Sequence, residues 1–368
     1  MKNNTFVFSS PRKKNYKNKT VQAKDFYYGI FNPSFNEKNI NIIEFEKSNN
    51  ITSFILSKLD YLFTKTFSLP FYTAKLTNFN NLKLFNSSKN IFLINENVGC
   101  SAILLLFFTK KNIRINLFVM GLYSKKLKFN FLKRIHYLLI LILVNNVSNV
   151  LFLGKAEYQK AKLVHKNKSE KFMYFPFSVD TDFWTPNTSF DLSKNNYILF
   201  VGNDGNRNSE LLIEIANKLP QYNFIFISKI PNLQNIKLVN VNHINGSWAD
   251  SELNDNDLKN IYNNARLTIL PLKESTQPSG QSVAMQSMSI GVPVIISKTS
   301  GFWDSQKFYN DEHIIFEELN TLDSWVQKIN SVYDDLDMLN KISKQGRELI
   351  LTEFNLEKFY NRLDKLIN

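Results

Sequence analysis

Residues 277–295, QPSGQSVAMQSMSIGVPVI, join a polar, donor-rich turn to a short apolar helix that stops at Gly291. Gly280 lets backbone approach a ligand closely, Ser279 and Ser282 offer hydroxyls, and Lys273 adds a positive charge just upstream. A helix N-terminus presents N–H groups without intrahelical acceptors, and the helix dipole strengthens their pull on negative charge. The stretch has the chemistry of an anion site, a diphosphate above all. A plainer reading stays open here, with Ser282 as a helix cap and Gly280 as a turn residue. A second turn of the same kind, GNDGNRN over 202–208, sets Gly202, Gly205 and Arg207 ahead of a helix starting near Ser209. It lacks both the Gly-x-Gly-x-x-Gly spacing and the Lys-Ser/Thr of a P-loop. Two such turns, each with glycine and a nearby cation, can flank one phosphate site.

The elements that must position these turns are readable. From Asn196 the chain gives a β-rich run at 197–201, the Gly-bearing turn, then Leu211, Leu212, Ile215, Ala216 and Leu219 at helical spacing, then another apolar strand. Strand signals follow at 237–241, 267–272 and near Val294, separated by the helical stretches DNDLKNIYNNA and 282–290. Alternation of this length predicts a parallel sheet with helices on both faces, whose ligands bind where strands end and helices begin. The first half is less regular, with strands expected at 5–8, 90–94, 115–120 and 149–153. The segment FPFSVDTDFWTP, 175–186, has two prolines and no helical period, and reads as an interdomain linker. The fold class expected is α/β, with two Rossmann-like doubly wound domains. Their expected bounds are 1–177 and 178–352, with a C-terminal helix over 353–368 returning to the first.

Composition narrows the function. With 43% apolar and 14% aromatic residues the chain is not disordered. Its one cysteine, Cys100, excludes an intramolecular disulfide, suits a reducing cytoplasm, and reads as a small core residue. The apolar part of MKNNTFVFSSPRKK is too short for a signal-peptide core. The longest wholly apolar run, 137–144, has eight residues, whereas a spanning helix needs about 20. A soluble, cytoplasmic protein is expected, or one peripheral on the inner face of the membrane. Net charge is +13, divided unevenly: residues 1–190 carry +18 and residues 191–368 carry −5. Two domains with different partners follow. In the basic half, Lys125, Lys126, Lys128, Lys133 and Arg134 stand beside Phe129, Phe131, Leu132 and the 137–144 run. Such a helix can lie on anionic lipid, or be a core helix with a solvated basic first turn.

Several motifs in order carry a resemblance. The runs SVDTDFWTP, VGNDGNRNSELLIEIA, NGSWADSELNDNDLKNIYNNARLTILPL and QPSGQSVAMQSMSIGVPVIISKTSGFWD resemble the nucleotide-sugar-binding domain of retaining GT-B glycosyltransferases, in particular glycosyltransferase family 4. The likeness covers 178–304 nearly continuously. It implies a GT-B fold, two Rossmann-like domains facing across a cleft, and a nucleotide-diphosphate-sugar donor on the second domain. The donor diphosphate would meet Gly202, Arg207, Lys273, Ser282 and Val283. The sugar would lie on Ser279, Gly280 and Gln281, and the ribose and base on Gln286 and Ile244. Arg207 stands where the family usually has a lysine, and its guanidinium can replace it as a bidentate phosphate partner. Asn203 stands in place of the family's preceding arginine, so one charge is missing, which Lys273 would supply.

A second departure concerns the family's two glutamates eight positions apart. Here they are Pro278 and Gln286; the Gln286 amide oxygen can still accept from a ribose hydroxyl, while Pro278 cannot hold a sugar. No cofactor or metal is expected, because the four histidines, 136, 165, 243 and 313, show no ligand spacing. The strand INLFVMGL ends in Met120 and Gly121 where family members often have a histidine, so no catalytic base is assigned. The resemblance implies a glycan or lipid-linked acceptor on the first domain and a role in cell-surface glycan synthesis such as lipopolysaccharide. Open alternatives are a GT-B sugar-nucleotide epimerase, although its paired carboxylates are not evident, and a catalytically silent subunit. A nucleic-acid partner for the basic half competes, without any recognisable RNA- or DNA-binding motif.

Overall fold

The computed structural model describes residues 3–47, 50–125, 130–246 and 253–367. The chain forms two compact units. The first takes Met1–Val21, Phe26–Pro176 and Tyr360–Asn368, and the second takes Gln22–Asp25 and Phe177–Phe359.

In the first unit six parallel strands run β1 (Asn3–Phe8), β2 (Ile40–Glu44), β3 (Ser88–Leu93), β4 (Arg114–Val119), β5 (Asn149–Phe152) and β6 (Phe172–Tyr174), in the spatial order β2-β1-β3-β4-β5-β6. The central strands are near-continuous apolar runs because helices cover both sheet faces, leaving no solvent side to alternate toward. Val7, Leu93, Leu117 and Phe152 lie in one core with Cys100, whose thiol burial pushes well above its usual range. The C-terminal helix, Leu356–Ile367, serves this unit from Tyr360 onward. There Arg362 covers the Phe175 ring and Asp364 accepts from Asn32 (2.8 Å) and Ser34 (2.9 Å).

In the second unit the strands are β7 (Tyr197–Val201), β8 (Asn223–Ser228), β9 (Val241–Asn245), β10 (Ala265–Leu270), β11 (Val294–Ser297) and β12 (Ile315–Glu317), in the order β12-β11-β10-β7-β8-β9. All pairs are parallel. The chain steps from β7 outward to β9, then jumps back beside β7 and steps the other way. The reversal between β7 and β10 makes a topological switch point, the usual ligand position in such sheets.

β2, β6 and β12 are not among the expected strands, and two expected strands are placed differently. The run at 237–241 is not a strand; β9 begins only at Val241. The cause is Asn240, whose side chain donates to the carbonyls of Ala216 (2.9 Å), Leu219 (3.1 Å) and Tyr222 (3.1 Å), holding the preceding residues in a turn. The strand expected to reach Leu272 leaves the ladder after Leu270, because Pro271 and Leu272 pair with the 206–208 turn instead. The proline-bearing segment 175–186 is packed: Val179 pairs with Asn355, and Trp184 is buried.

Candidate functional site

The chain leaves β7 and lays the 202–208 turn onto the end of β10. Arg207 pairs with Leu272, the Asn208 N–H donates to the Pro271 carbonyl (2.9 Å), and the Lys273 N–H donates to the Asn206 carbonyl (2.8 Å). The Asn206 amide then reaches the Ser279 hydroxyl at 2.8 Å. The two glycine turns are therefore one assembly.

At its centre is Arg207, only 4% exposed. Its side chain crosses Gly202 so closely that a Cβ there would collide with Nε, and Nη1 lies 3.3 Å from the Cβ position of Gly280. Glycine is needed at Gly280 also for its backbone, at φ 79°. Arg207 Nη2 stands 3.5 Å from Asp204, while Nε and Nη1 are buried without an acceptor among the described residues. A buried, charged donor left unpaired is costly, and an anion removes that cost.

The helix Gln281–Ile290 aims its start at the same place. Gly280 is its N-cap and no side chain caps it. Ser282 is accordingly a first-turn residue and not the cap that the plainer reading made it. Gln281 and Val283 are buried and Ser282 is half-buried. Gly291 at φ 100° ends the helix, with the Val292 N–H returning to the Ser287 carbonyl (2.9 Å).

Residues 186–349 match the family described as glycosyl transferases, group 1. The matched stretch is a glycosyltransferase domain. No curated protein sequence matches the chain. Among solved structures it is similar to sucrose-phosphate synthase of Thermosynechococcus elongatus, at 14% identity over 100% of this chain and 98% of that one, with a TM-score of 0.67. Anabaena HepE in complex with UDP and glucose gives 13% identity, 100% and 99% coverage, and a TM-score of 0.68. A glycosyltransferase of Rickettsia africae ESF-5 gives 15%, 100% and 98%, and 0.63. At such identities the likeness is one of fold, and two Rossmann-like domains in one chain make the GT-B fold.

In the second unit, Gly202, Arg207, Ser279, Gly280, Gln281, Ser282 and Val283 come together, with Lys273 joined through its backbone and its side chain exposed. Gln286 sits further along the helix, and its amide donates to Asp25 at 2.9 Å. Ile244 is half-buried on β9, two strands from β7. Asn203, standing for the family's arginine, is a backbone clasp: it accepts from Lys229 N (2.7 Å) and donates to Gly246 O (2.7 Å), tying the ends of β7, β8 and β9. In the first unit Lys125, Lys133 and Arg134 are exposed. Lys126, Lys128 and Phe129, and residues 247–252 of the matching runs, lie outside the described residues.

Sequence reasoning missed Asp25. It accepts from Asp180 N (2.5 Å), Trp184 Nε1 (2.6 Å) and Gln286 Nε2 (2.9 Å). Full burial pushes its carboxyl up to about 7 against the pull of these three donors, with the Asp180 charge adding to the rise. An isolated acid 261 positions before Gln286 gives no local signal of this role. Tyr262 lies in the same neighbourhood, its hydroxyl buried without a partner among the described residues.

Proposed function

We propose that the enzyme transfers a sugar, with retention, from a nucleotide-diphosphate-sugar to a glycan or lipid-linked acceptor. The observation that carries this is the Arg207 guanidinium, with two buried N–H-bearing nitrogens lacking acceptors among the described residues, where two glycine turns and a helix start converge. The diphosphate takes those donors, aided by Lys273, Gly202 backbone and the first-turn N–H groups at Ser282 and Val283. UDP and glucose bound by the Anabaena protein of like fold support a donor of this class. As the bond from the anomeric carbon to the diphosphate oxygen breaks, its electron pair leaves on the nucleotide diphosphate, which these cations and dipoles stabilise. The acceptor oxygen bonds the anomeric carbon and its proton passes to solvent or to the leaving group.

The donor sugar rests on Ser279, Gly280 and Gln281, and ribose on Gln286. With the Gln286 amide nitrogen bonded to Asp25, its oxygen is the atom that this reading gives to a ribose hydroxyl. No metal or cofactor takes part in this reading. The first unit holds the acceptor and faces anionic membrane through Lys125, Lys126, Lys128, Lys133 and Arg134, at the cytoplasmic surface, in cell-surface glycan synthesis. Mixing the enzyme with a panel of labelled nucleotide-sugars and candidate acceptors tests it. Acceptor-dependent release of nucleotide diphosphate with transfer of label is expected. Interconversion of donor sugars without release would favour the epimerase.

A further inference from the structure

The helix Ile51–Phe67 is built inside out. Its one buried residue is an acid, Asp60, whose carboxylate accepts from Thr73 Oγ1 (2.6 Å) and Ala74 N (3.0 Å). The opposite side carries Ile51, Ile55, Leu59 and Leu62 at helical spacing, with Ile51 80% and Leu62 58% exposed. Beside this stripe run Phe54, Lys58, Tyr61 and Lys65, each ammonium over the ring one turn earlier, at 5.3 and 5.8 Å. A pocket of about 610 Å³ opens on the same flank, lined in part by Phe54, Tyr61, Phe71 and Tyr72, with Lys47 and Lys75 among its walls. Asp60 is the only acid between Lys47 and Asn95, a stretch with six lysines. The helix Asn130–Asn145 packs against this one and exposes Phe131, Tyr137 and Leu138.

An apolar stripe of this size in water marks an interaction surface. Charge selects among partners: a second copy would set lysine against lysine, and a nucleic acid would pair the lysines but leave the stripe wet. An anionic bilayer accommodates both, with the stripe at the acyl boundary and the ammonium groups on phosphates. We propose that the helix Ile51–Phe67 lies in the headgroup layer of an anionic membrane and that the flanking pocket receives part of one lipid, with Lys47 and Lys75 on its headgroup. This rests on the membrane reading above and extends it from one helix to two.

The test uses the full chain with phosphatidylglycerol or phosphatidylcholine vesicles. Binding to the anionic vesicles alone, weakened about tenfold in Ile55→Ser/Leu62→Ser, is expected. Both positions are exposed, so the fold is retained. All four native tryptophans lie at 184 or beyond, so Ile55→Trp adds a reporter to the first unit; its added emission should be quenched by brominated acyl chains. Unchanged vesicle binding in Ile55→Ser/Leu62→Ser, with no added quenching in Ile55→Trp, overturns the proposal. Loss of binding in Lys133→Ser/Arg134→Ser under those same conditions would leave the 125–144 reading standing alone. A dimer in sedimentation that Ile55→Ser/Leu62→Ser abolishes assigns the face to a second copy and likewise overturns it, as does displacement from vesicles by free nucleic acid. A wild type that binds no vesicle removes both readings.

Discussion

Arg207 occupies the space above Gly202 that a side chain would need, and its Nη1 comes within 3.3 Å of the Cβ position of Gly280. One guanidinium thus spans two turns from different βα units, with Nε and Nη1 left for a ligand.

Arg207→Ala should therefore weaken nucleotide-diphosphate binding by at least about 1.5 kcal/mol, the scale of one charge-assisted hydrogen bond. Calorimetric titration of both proteins decides it. Equal affinities would remove Arg207 from the donor site.

The glycine should matter as much as the arginine. Gly202→Ala forces the guanidinium aside and is expected to lower nucleotide-diphosphate affinity comparably. Gly205→Ala, where a Cβ would meet nothing within 4 Å, is expected to leave it unchanged. Equal behaviour of the two variants would show that the packing of Arg207 on Gly202 does not set affinity.

Asp25 gives a pH signature. Its folded pKa of about 7 lies above an unfolded value of about 3.9, so the folded chain keeps a proton that the unfolded chain has lost across that window. Its contribution to stability is full below about pH 4 and is lost as pH rises toward 7. Asp25→Asn removes the titration and faces one N–H donor with an amide, costing about 1–3 kcal/mol at pH 4. Urea unfolding of both proteins from pH 4 to 8 should show that deficit narrowing as pH rises. A deficit independent of pH would mean that Asp25 titrates normally. Glu157, buried beside Tyr123 and raised to about 8, is unaffected by the substitution and cancels in the comparison.

Transfer should persist in excess chelator, since cations and helix N–H groups are assigned the leaving diphosphate. Activity abolished by EDTA and restored by Mg²⁺ or Mn²⁺ would return that task to a metal.

The β-α alternation, the two glycine turns and the helix ending at Gly291 were legible in the residues, because they rest on periodicity and backbone freedom that act over a few positions. The interior of the second unit was legible only to that depth. That Asn206 would hold Ser279 and that Arg207 would lie over Gly202 depended on β7 being placed beside β10, a strand order that no local pattern encodes. Residues 22–25 crossing into the second unit, so that Asp25 meets Trp184 and Gln286, were equally hidden. The helix Ile51–Phe67 has apolar residues at core spacing, and periodicity alone reads such a stripe as buried. Only the tertiary structure turned Asp60 inward, where Thr73 and Ala74 satisfy its carboxylate, and left the isoleucines and leucines outside. Which face of a helix is buried is settled by what packs against it, and that partner comes from elsewhere in the chain.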